Sequence, residues 1–504
     1  MQINNEQRLD ECLKVFQGFK QNFGYMVNRA FTLDEIHFMV GYNQPNGWNM
    51  QSQDFWRALW YGVKDLDGLP LGYCKDGEYK VDIKLSNEDR KRHIIIFGKT
   101  GTGKTIANYN MMKYDLQQGN GFAALCNEKD AINWLLSNIP EHRINDVVYF
   151  NPIDYKQPIG LNLFYLNDEK KYLIKKDECY YVLINIMDAT SDTMQAPLKQ
   201  LISTLILCKD GTLEDIPVLL NKTYPRFTEI VKSLDSDLKH YWLKESDEIG
   251  DSTKRAILNR LHNFLFDGPV KNVCCQKECI DFRNIIDNNK IFIANLCDIE
   301  IGKMNSDFLG KFLLSFFQLA ALSRIDILNQ RDRKPFYIYA DEIHRILYGE
   351  SIKEVVERLR KYNVALIASC QHPGQLGIDV WDDSLHCIKT FLTFETASKS
   401  AKLLANDYLT ENEDLETKPL DYTKFVKQKI GSCHCKISEY SFPLFIYSIN
   451  EQVNQKKIDY IIKQSQKNYG TKQAKKLVVN KTPEKKLASK QLNLNSFQVK
   501  EGIF

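Results

Sequence analysis

Hydrophobic residues fall into two kinds of pattern along this chain. Short apolar runs at residues 94–97, 122–126, 146–150, 291–296, 336–340, 364–369 and 390–394 read as strands. Helical spacing fills most of the gaps between them, at 104–117, 131–138, 307–323, 352–362 and 398–406. This alternation predicts an α/β fold with a mostly parallel sheet. Two short strands at 69–73 and 79–83 precede it, and a strand pair at 433–449 closes it. Between residues 165 and 285 only the helical period persists. That predicts an all-helical insertion dividing the α/β domain into residues 67–164 and 286–450. Residues 1–66 read as a helical N-terminal segment. Leu9, Cys12, Leu13, Phe16 and Phe19 recur there at helical spacing, and Thr32 with Glu35 has the pattern of a capping box. Trp48, Trp56 and Trp60 are read as local packing.

The chain has 504 residues, more than one ordinary domain holds. With 43% hydrophobic and 26% charged residues, its composition is that of a globular protein. The apolar run at 312–322 is interrupted by Ser315 and Gln318, which predicts a core helix rather than a membrane span. The N-terminus lacks the pattern of a secretory signal, so the 13 cysteines are expected to be reduced thiols in a cytoplasmic protein. The net charge of +3 is unevenly spread. Residues 451–504 hold twelve Lys and four acidic residues, a segment charge of +8 that leaves about −5 for the rest. This segment reads as a basic, partly disordered tail suited to phosphates or another anionic surface.

One stretch carries specific chemistry. Gly98-Lys99-Thr100-Gly101-Thr102-Gly103-Lys104-Thr105 fits G-x-x-x-x-G-K-[ST], between an expected strand and an expected helix. Glycines let the backbone wrap phosphates with its N–H groups inward. Lys104 would reach the β and γ phosphates of ATP, and Thr105 would offer its hydroxyl to Mg2+. A second apolar strand, Phe336–Ala340, ends in Asp341-Glu342. Asp341 would serve the magnesium shell and Glu342 would polarise an attacking water. Gln371, just past the strand at 364–369, is placed to hydrogen-bond the γ phosphate or that water. Its alternative is a turn residue before His372-Pro373-Gly374. Arg358 and Arg360 precede the same strand, either as surface residues or as a guanidinium presented to a neighbour's γ phosphate. Cys433-His434-Cys435 and Cys274-Cys275 with Cys279 lack a second matching half for zinc. His344 reads as structural, and the acidic residues 411–416 as a solvated loop.

Together these residues resemble the HerA/FtsK class of ring ATPases, and more narrowly the conjugative coupling proteins of the VirD4/TraG type. The likeness runs over residues 67–450. It includes Arg92-His93, the glycine loop, Asp115 to Gly121, and Asp146-Val147-Val148-Tyr149-Phe150-Asn151-Pro152. It continues with Pro158-Ile159-Gly160-Leu161-Asn162-Leu163, Asp281-Phe282-Arg283, Asp341-Glu342, Arg360-Lys361-Tyr362 and Gln371. The resemblance implies a RecA-like P-loop NTPase that uses ATP and Mg2+ and works as a homo-hexamer on DNA. It implies Arg360 as a finger acting on the adjacent subunit's ATP and Gln371 as the γ-phosphate sensor. Two positions depart from the family pattern. Cys126-Asn127-Glu128-Lys129-Asp130 stands where relatives carry Asp-Pro, and Asn363 stands where they carry glycine. Asparagine tolerates the left-handed backbone next best.

The reading is an ATP-driven DNA translocase for mobile-element transfer, with a relaxase, nuclease or secretion partner. The alternatives are an end-processing motor, a packaging ATPase, and an ATP-gated assembly protein that recruits without moving DNA.

Overall fold

In the computed structural model, residues 68–471 are described except 77–78, 167, 188–190, 209, 266–267, 348–349, 377–387, 412–416, 439 and 450–451; Ala58 and Tyr61 are also described. The N-terminal helices and the tryptophan cluster expected before residue 61 lie outside the described residues.

Seven strands are so apolar that every residue in them is buried. They are β3 (Ile94–Phe97), β4 (Gly121–Cys126), β5 (Val147–Phe150), β6 (Ile291–Asn295), β7 (Phe336–Ala340), β8 (Val364–Cys370) and β9 (Thr390–Thr393). Strands buried on both faces pair in parallel with helices above and below, and these seven run parallel in the order β9-β3-β8-β7-β4-β6-β5. Beyond β9 the sheet turns antiparallel through β12 (Ser432–Ile437), β13 (Tyr440–Phe445), β1 (Leu69–Asp76) and β2 (Tyr79–Leu85). Among the described residues the whole sheet has eleven strands. A separate hairpin pairs β10 (Leu409–Glu411) with β11 (Thr417–Pro419). Glu411, the first of the acidic residues expected as a loop, lies on β10, and 412–416 lie outside the described residues.

Helices cover both faces. On one lie α1 (Lys104–Gln118), α2 (Lys129–Asn138) and α10 (Gln455–Tyr469), whose buried residues join Ile94, Ile96, Phe122 and Ala124. On the other, α7 (Lys303–Leu322) packs with Ile95, Phe97, Ala123 and Leu125. By length and composition α7 is apolar enough to cross a membrane. Here most of its apolar stretch is buried against protein. Its Phe316 and Phe317 contact Phe282 at 4.9 and 5.0 Å between ring centroids.

Between β5 and β6 the regular elements are all helical, led by α3 (Tyr172–Met187), α4 (Asp192–Leu207) and α5 (Asp251–Leu265). α6 (Phe282–Asp287) then leads into β6. Asn162 fastens the entry of this excursion. Its amide donates to the carbonyls of Gly211 and Lys277, and its oxygen accepts from the N–H of Phe164. A buried amide must satisfy such bonds, which accounts physically for the polar residue within Pro158-Ile159-Gly160-Leu161-Asn162-Leu163.

The region from residue 451, expected as a loose tail, begins differently. α10 docks on β5 and α2: Ser465 Oγ accepts from the N–H of Tyr149 at 2.7 Å, and Lys457 donates to Ser137 O at 2.9 Å. Ile458 and Ile461 are buried. Two apolar anchors with Ser465 in a Lys/Gln-rich helix suffice because they fall on one stripe. Residues 472–504 lie outside the described residues.

Candidate functional site

Sheet order decides which strand ends become neighbours. Phe97 pairs with Cys370, Ala340 with Ala368, and Leu125 with Ala340. The next residues therefore emerge together at the C-terminal edge: Gly98, Gln371, Asp341 and Cys126. In open α/β sheets ligands bind at this edge. The strand bearing Gln371 lies between the one leading to the glycine loop and the one ending in the carboxylates.

The loop from Gly98 to Gly103 is shaped by its surroundings as well as its glycines. Gly98 has φ 154°, and a Cβ there would meet Phe394 Cβ at 2.6 Å. Gly103 has φ 123°, and a Cβ there would meet the same ring at 2.9 Å. Only glycine fits these positions. Thr102 Oγ1 donates to Lys99 O at 2.8 Å, and the Lys99 N–H donates to Glu395 O at 2.9 Å. Thr100 and Gly101 are exposed at the loop's tip. Lys104 opens α1 and donates to the carbonyls of Gly98 and Lys99 at 2.6 and 3.0 Å. Burial lowers its pKa, against the opposing pull of Asp341, Cys370, Glu342 and Glu128.

Asp341 is held from several sides. Its carboxylate accepts from Ser369 Oγ and from the Glu342 N–H, and its backbone carbonyl accepts from Asn127 Nδ2 at 3.0 Å. Glu342 has φ 49°, a left-handed backbone that a non-glycine residue rarely adopts. Such strain concentrates at functional sites. The Glu342 carboxylate is 3.3 Å from Arg345 Nη1. Arg345 is itself anchored by Asp307 at 2.7 Å, Asp298 at 3.4 Å and Ser306 Oγ at 3.2 Å. Burial would depress its pKa, but these partners, Asp307 foremost, raise it.

A pocket beside α1 is lined by Thr105, Asn127, Glu128 and Asp341. Glu128 has its pKa raised by burial first and then by Asp341 and Glu342. The segment Cys126-Asn127-Glu128, which departs from the family pattern, thus places a carboxylate beside the pocket. The hydroxyl and carboxylates here are oxygen donors, which suit a hard cation such as Mg2+.

Gln371 is exposed, and its backbone N–H donates to Gln375 Oε1 at 2.8 Å. Arg360 is not among these residues. α8 (Glu350–Lys361) precedes β8, so Arg360 lies toward the opposite edge of the sheet. It is exposed, with no salt bridge among the described residues. Arg358, by contrast, stacks 5.5 Å from the ring of Tyr181 in α3. Asn363 has φ 57° and donates to Arg333 O at 2.6 Å, so the left-handed turn read from its glycine-like position is present.

Sequence reasoning gave no role to three groups in the parallel half, of which His93 and the Arg90–Asp115 pair lie toward the N-terminal ends of the strands. His93 is fully enclosed. Its Nδ1 accepts from the Leu366 N–H, so the proton sits on Nε2 and is donated to Val356 O, both at 2.9 Å. It thereby ties β8 to α8. Arg90 and Asp115 form a buried bidentate pair at 2.7 and 2.6 Å. Tyr339 of β7 donates to Asp115 at 2.6 Å. Arg345 is the third. Its position three residues after Glu342 was the only signal available.

The cysteines read against zinc are placed apart from this site. Cys433 and Cys435 are buried on β12, and His434 bonds Ser441 Oγ at 2.9 Å.

No family model matches this sequence, and no curated protein sequence does. Solved structures share its fold. The plasmid coupling protein TrwB in complex with the non-hydrolysable ATP analogue ADPNP aligns with a TM-score of 0.55 at 13% identity, over 73% of this chain and 88% of that one. TrwB in complex with ADP and Mg2+ gives 0.53 at 11% identity, over 73% and 89%. VirB4 of Thermoanaerobacter pseudethanolicus gives 0.53 at 14% identity, over 77% and 98%. The chain has the α/β P-loop NTPase fold of TrwB and VirB4. The resemblance to coupling proteins carried by the sequence motifs is matched at the level of fold.

Proposed function

We propose that this chain is an ATP hydrolase that moves DNA, acting as a homo-oligomeric ring in a conjugation-like transfer process. The observation that carries the reading is the convergence of the glycine loop, Lys104, Asp341, Glu342 and Gln371 on one edge of the sheet. Loop N–H groups and Lys104 bind the phosphates, and Lys104 exchanges its loop carbonyls for phosphate oxygens. Thr105 and Asp341 would hold Mg2+, which when bound offsets charge on the phosphates. Glu342 accepts a proton from the attacking water, and Arg345 fixes the direction from which it does so. Gln371 orients the water or the γ phosphate.

Arg360 lies too far round its own chain to serve its own site. An outward-facing arginine can act only on a neighbour, and a ring satisfies every site at once. Backbone rather than base contacts fit a motor that must pass any sequence, so DNA affinity should fall steeply with salt. The TrwB complexes with ADPNP and with ADP and Mg2+ support nucleotide and magnesium as ligands of this fold.

The test is complementation. Arg360→Ala and Lys104→Ala chains are each expected to be inactive, with Arg360→Ala still binding ATP. Mixed together, Lys104→Ala subunits supply Arg360 to intact loops on their neighbours, and turnover returns. Mixtures that stay inactive at every ratio would remove the trans role. The rival reading, an ATP-gated assembly protein, uses the same loop but turns over slowly whatever the DNA.

A further inference from the structure

The antiparallel half of the sheet carries an aromatic and basic face. Tyr73 of β1 lies opposite Phe445 of β13 and Asp82 of β2, and Lys75 lies opposite Lys80. Directly opposed residues share a face. The rings of Tyr73 and Phe445 stack at 5.5 Å with an 18° tilt, and Tyr447 stands 5.8 Å from Tyr73. Lys80 Nζ lies 4.5 Å from the Tyr73 ring centre and 5.8 Å from that of Tyr447, while Lys75 Nζ lies 4.9 Å from Phe445. The three rings are partly exposed and both lysines exposed. Asp82 accepts from the Tyr447 hydroxyl at 2.7 Å and sits 3.3 Å from Lys80. The reverse of the same strands is core, with Leu71, Cys74, Val81, Ile83 and Leu444 buried.

We propose that this face binds single-stranded nucleic acid, with bases stacked on Tyr73, Phe445 and Tyr447 and phosphates met by Lys75 and Lys80. The inference rests on the DNA reading above and adds to it a contact for an unpaired stretch of strand. Aromatic platforms flanked by cations are what a single strand needs, since every base has a π-face and every linkage a charge. A duplex hides its base faces within the stack. An anionic membrane would use the lysines and leave the row of rings unexplained.

Backbone bonds join this face to the glycine loop. Ile446 N–H donates to Gly431 O at 2.9 Å, and Gly431 N–H donates to Thr102 O at 3.0 Å. Asn110 of α1 donates to Tyr447 O at 2.8 Å. β13 is thus bonded through Gly431 to the loop proposed to hold phosphates.

The test uses the full chain and an oligothymidylate of about 20 nucleotides, long enough for a typical single-strand site, read by fluorescence anisotropy across a salt series. The Lys75→Gln/Lys80→Gln pair is expected to reduce the slope of log affinity against log salt by about 1.4. Phe445→Leu with Tyr447→Leu is expected to weaken binding about tenfold or more at every salt. Both should leave duplex affinity within about twofold, the scatter of neutral surface changes. Binding of a fluorescent ATP analogue, unchanged in each variant, shows that the fold persists. Oligothymidylate affinity unaltered in both variants overturns the proposal, as does equal loss on duplex. Lysine-dependent binding to phosphatidylserine vesicles without any effect on the oligonucleotide assigns the face to membrane and overturns it too. If the parent chain binds no nucleic acid at all, the DNA reading fails and this proposal with it. If only the face variants are silent, the DNA reading stands.

Discussion

One sheet contains two differently built halves. In the parallel half every strand residue is buried, from Ile94–Phe97 through Val364–Cys370. Chemistry there is confined to the ends of strands, where Gly98, Asp341 and Gln371 leave the sheet side by side. In the antiparallel half burial alternates along β2, where Val81, Ile83 and Leu85 are buried and Lys80 and Asp82 are exposed. The contacts proposed there lie along a face, as Tyr73, Lys75 and Phe445 do. The contrast follows from pairing geometry: crossover helices cover both faces of a parallel sheet, whereas hairpins leave one face open. A residue's role in this molecule depends on which half it occupies, and the two halves respond differently to substitution.

The largest effect is expected from the buried support of the parallel half. Asp115→Ala leaves the buried Arg90 without its counter-charge, at a cost of about 3–5 kcal/mol. Chemical denaturation measures this, and a loss below about 1 kcal/mol, the size of a surface pair, would contradict it. At the strand ends themselves, Glu342→Gln should cut turnover by at least about a hundredfold while ATP still binds. Normal turnover would remove Glu342 from the proposed chemistry.

His93 provides a pH test of the same half. Burial first, and then the Arg360 charge, hold its pKa down to about 4 despite the bond to Val356 O. The unfolded value lies near 6.5. Between these values the unfolded chain binds the proton and the folded chain does not. Stability from this group is complete above about pH 6.5 and is lost as pH falls toward 4, on the order of 3 kcal/mol in all. A His93→Gln variant should show a flatter profile of melting temperature against pH in that window. An unchanged profile would place the acid sensitivity elsewhere.

Arg345 tests whether Glu342 needs orientation. Arg345→Ala should lower kcat about tenfold with little change in KM for ATP, and Arg345→Lys should recover part of it. A change confined to KM would make Arg345 a nucleotide contact instead. The smallest effect belongs to the open face. Lys80→Gln should leave melting within about 0.5 kcal/mol and DNA-free turnover unchanged. A large loss of stability would mean that this face is packed as tightly as the parallel half.

Legibility in the sequence divides along the same line. Buried parallel strands appear as apolar runs, and residues at their ends appear as breaks in those runs. Gly98–Thr105 and Asp341-Glu342 could therefore be read directly. Arg90, Asp115 and Tyr339 could not, because 249 residues separate Arg90 from Tyr339 and no local pattern links them. Glu128 was obscured because Cys126-Asn127-Glu128 departs from the expected pattern, although its carboxylate reaches the pocket. The helix Gln455–Tyr469 was obscured by composition: its lysines and glutamines dominate, while Ile458 and Ile461 alone carry much of the packing signal. The ring stack of Tyr73, Phe445 and Tyr447 depends on a pairing between the first and last strands of the sheet, which sequence spacing does not reveal.

The central claim is that ATP turnover at these strand ends drives movement along DNA. It is tested most directly by steady-state ATPase rate against duplex length, with Lys104→Ala as the blank and single-stranded DNA in parallel. The account predicts stimulation that rises with length before levelling off, and no rate from Lys104→Ala. A slow rate independent of DNA length would contradict it and leave an ATP-gated switch in its place.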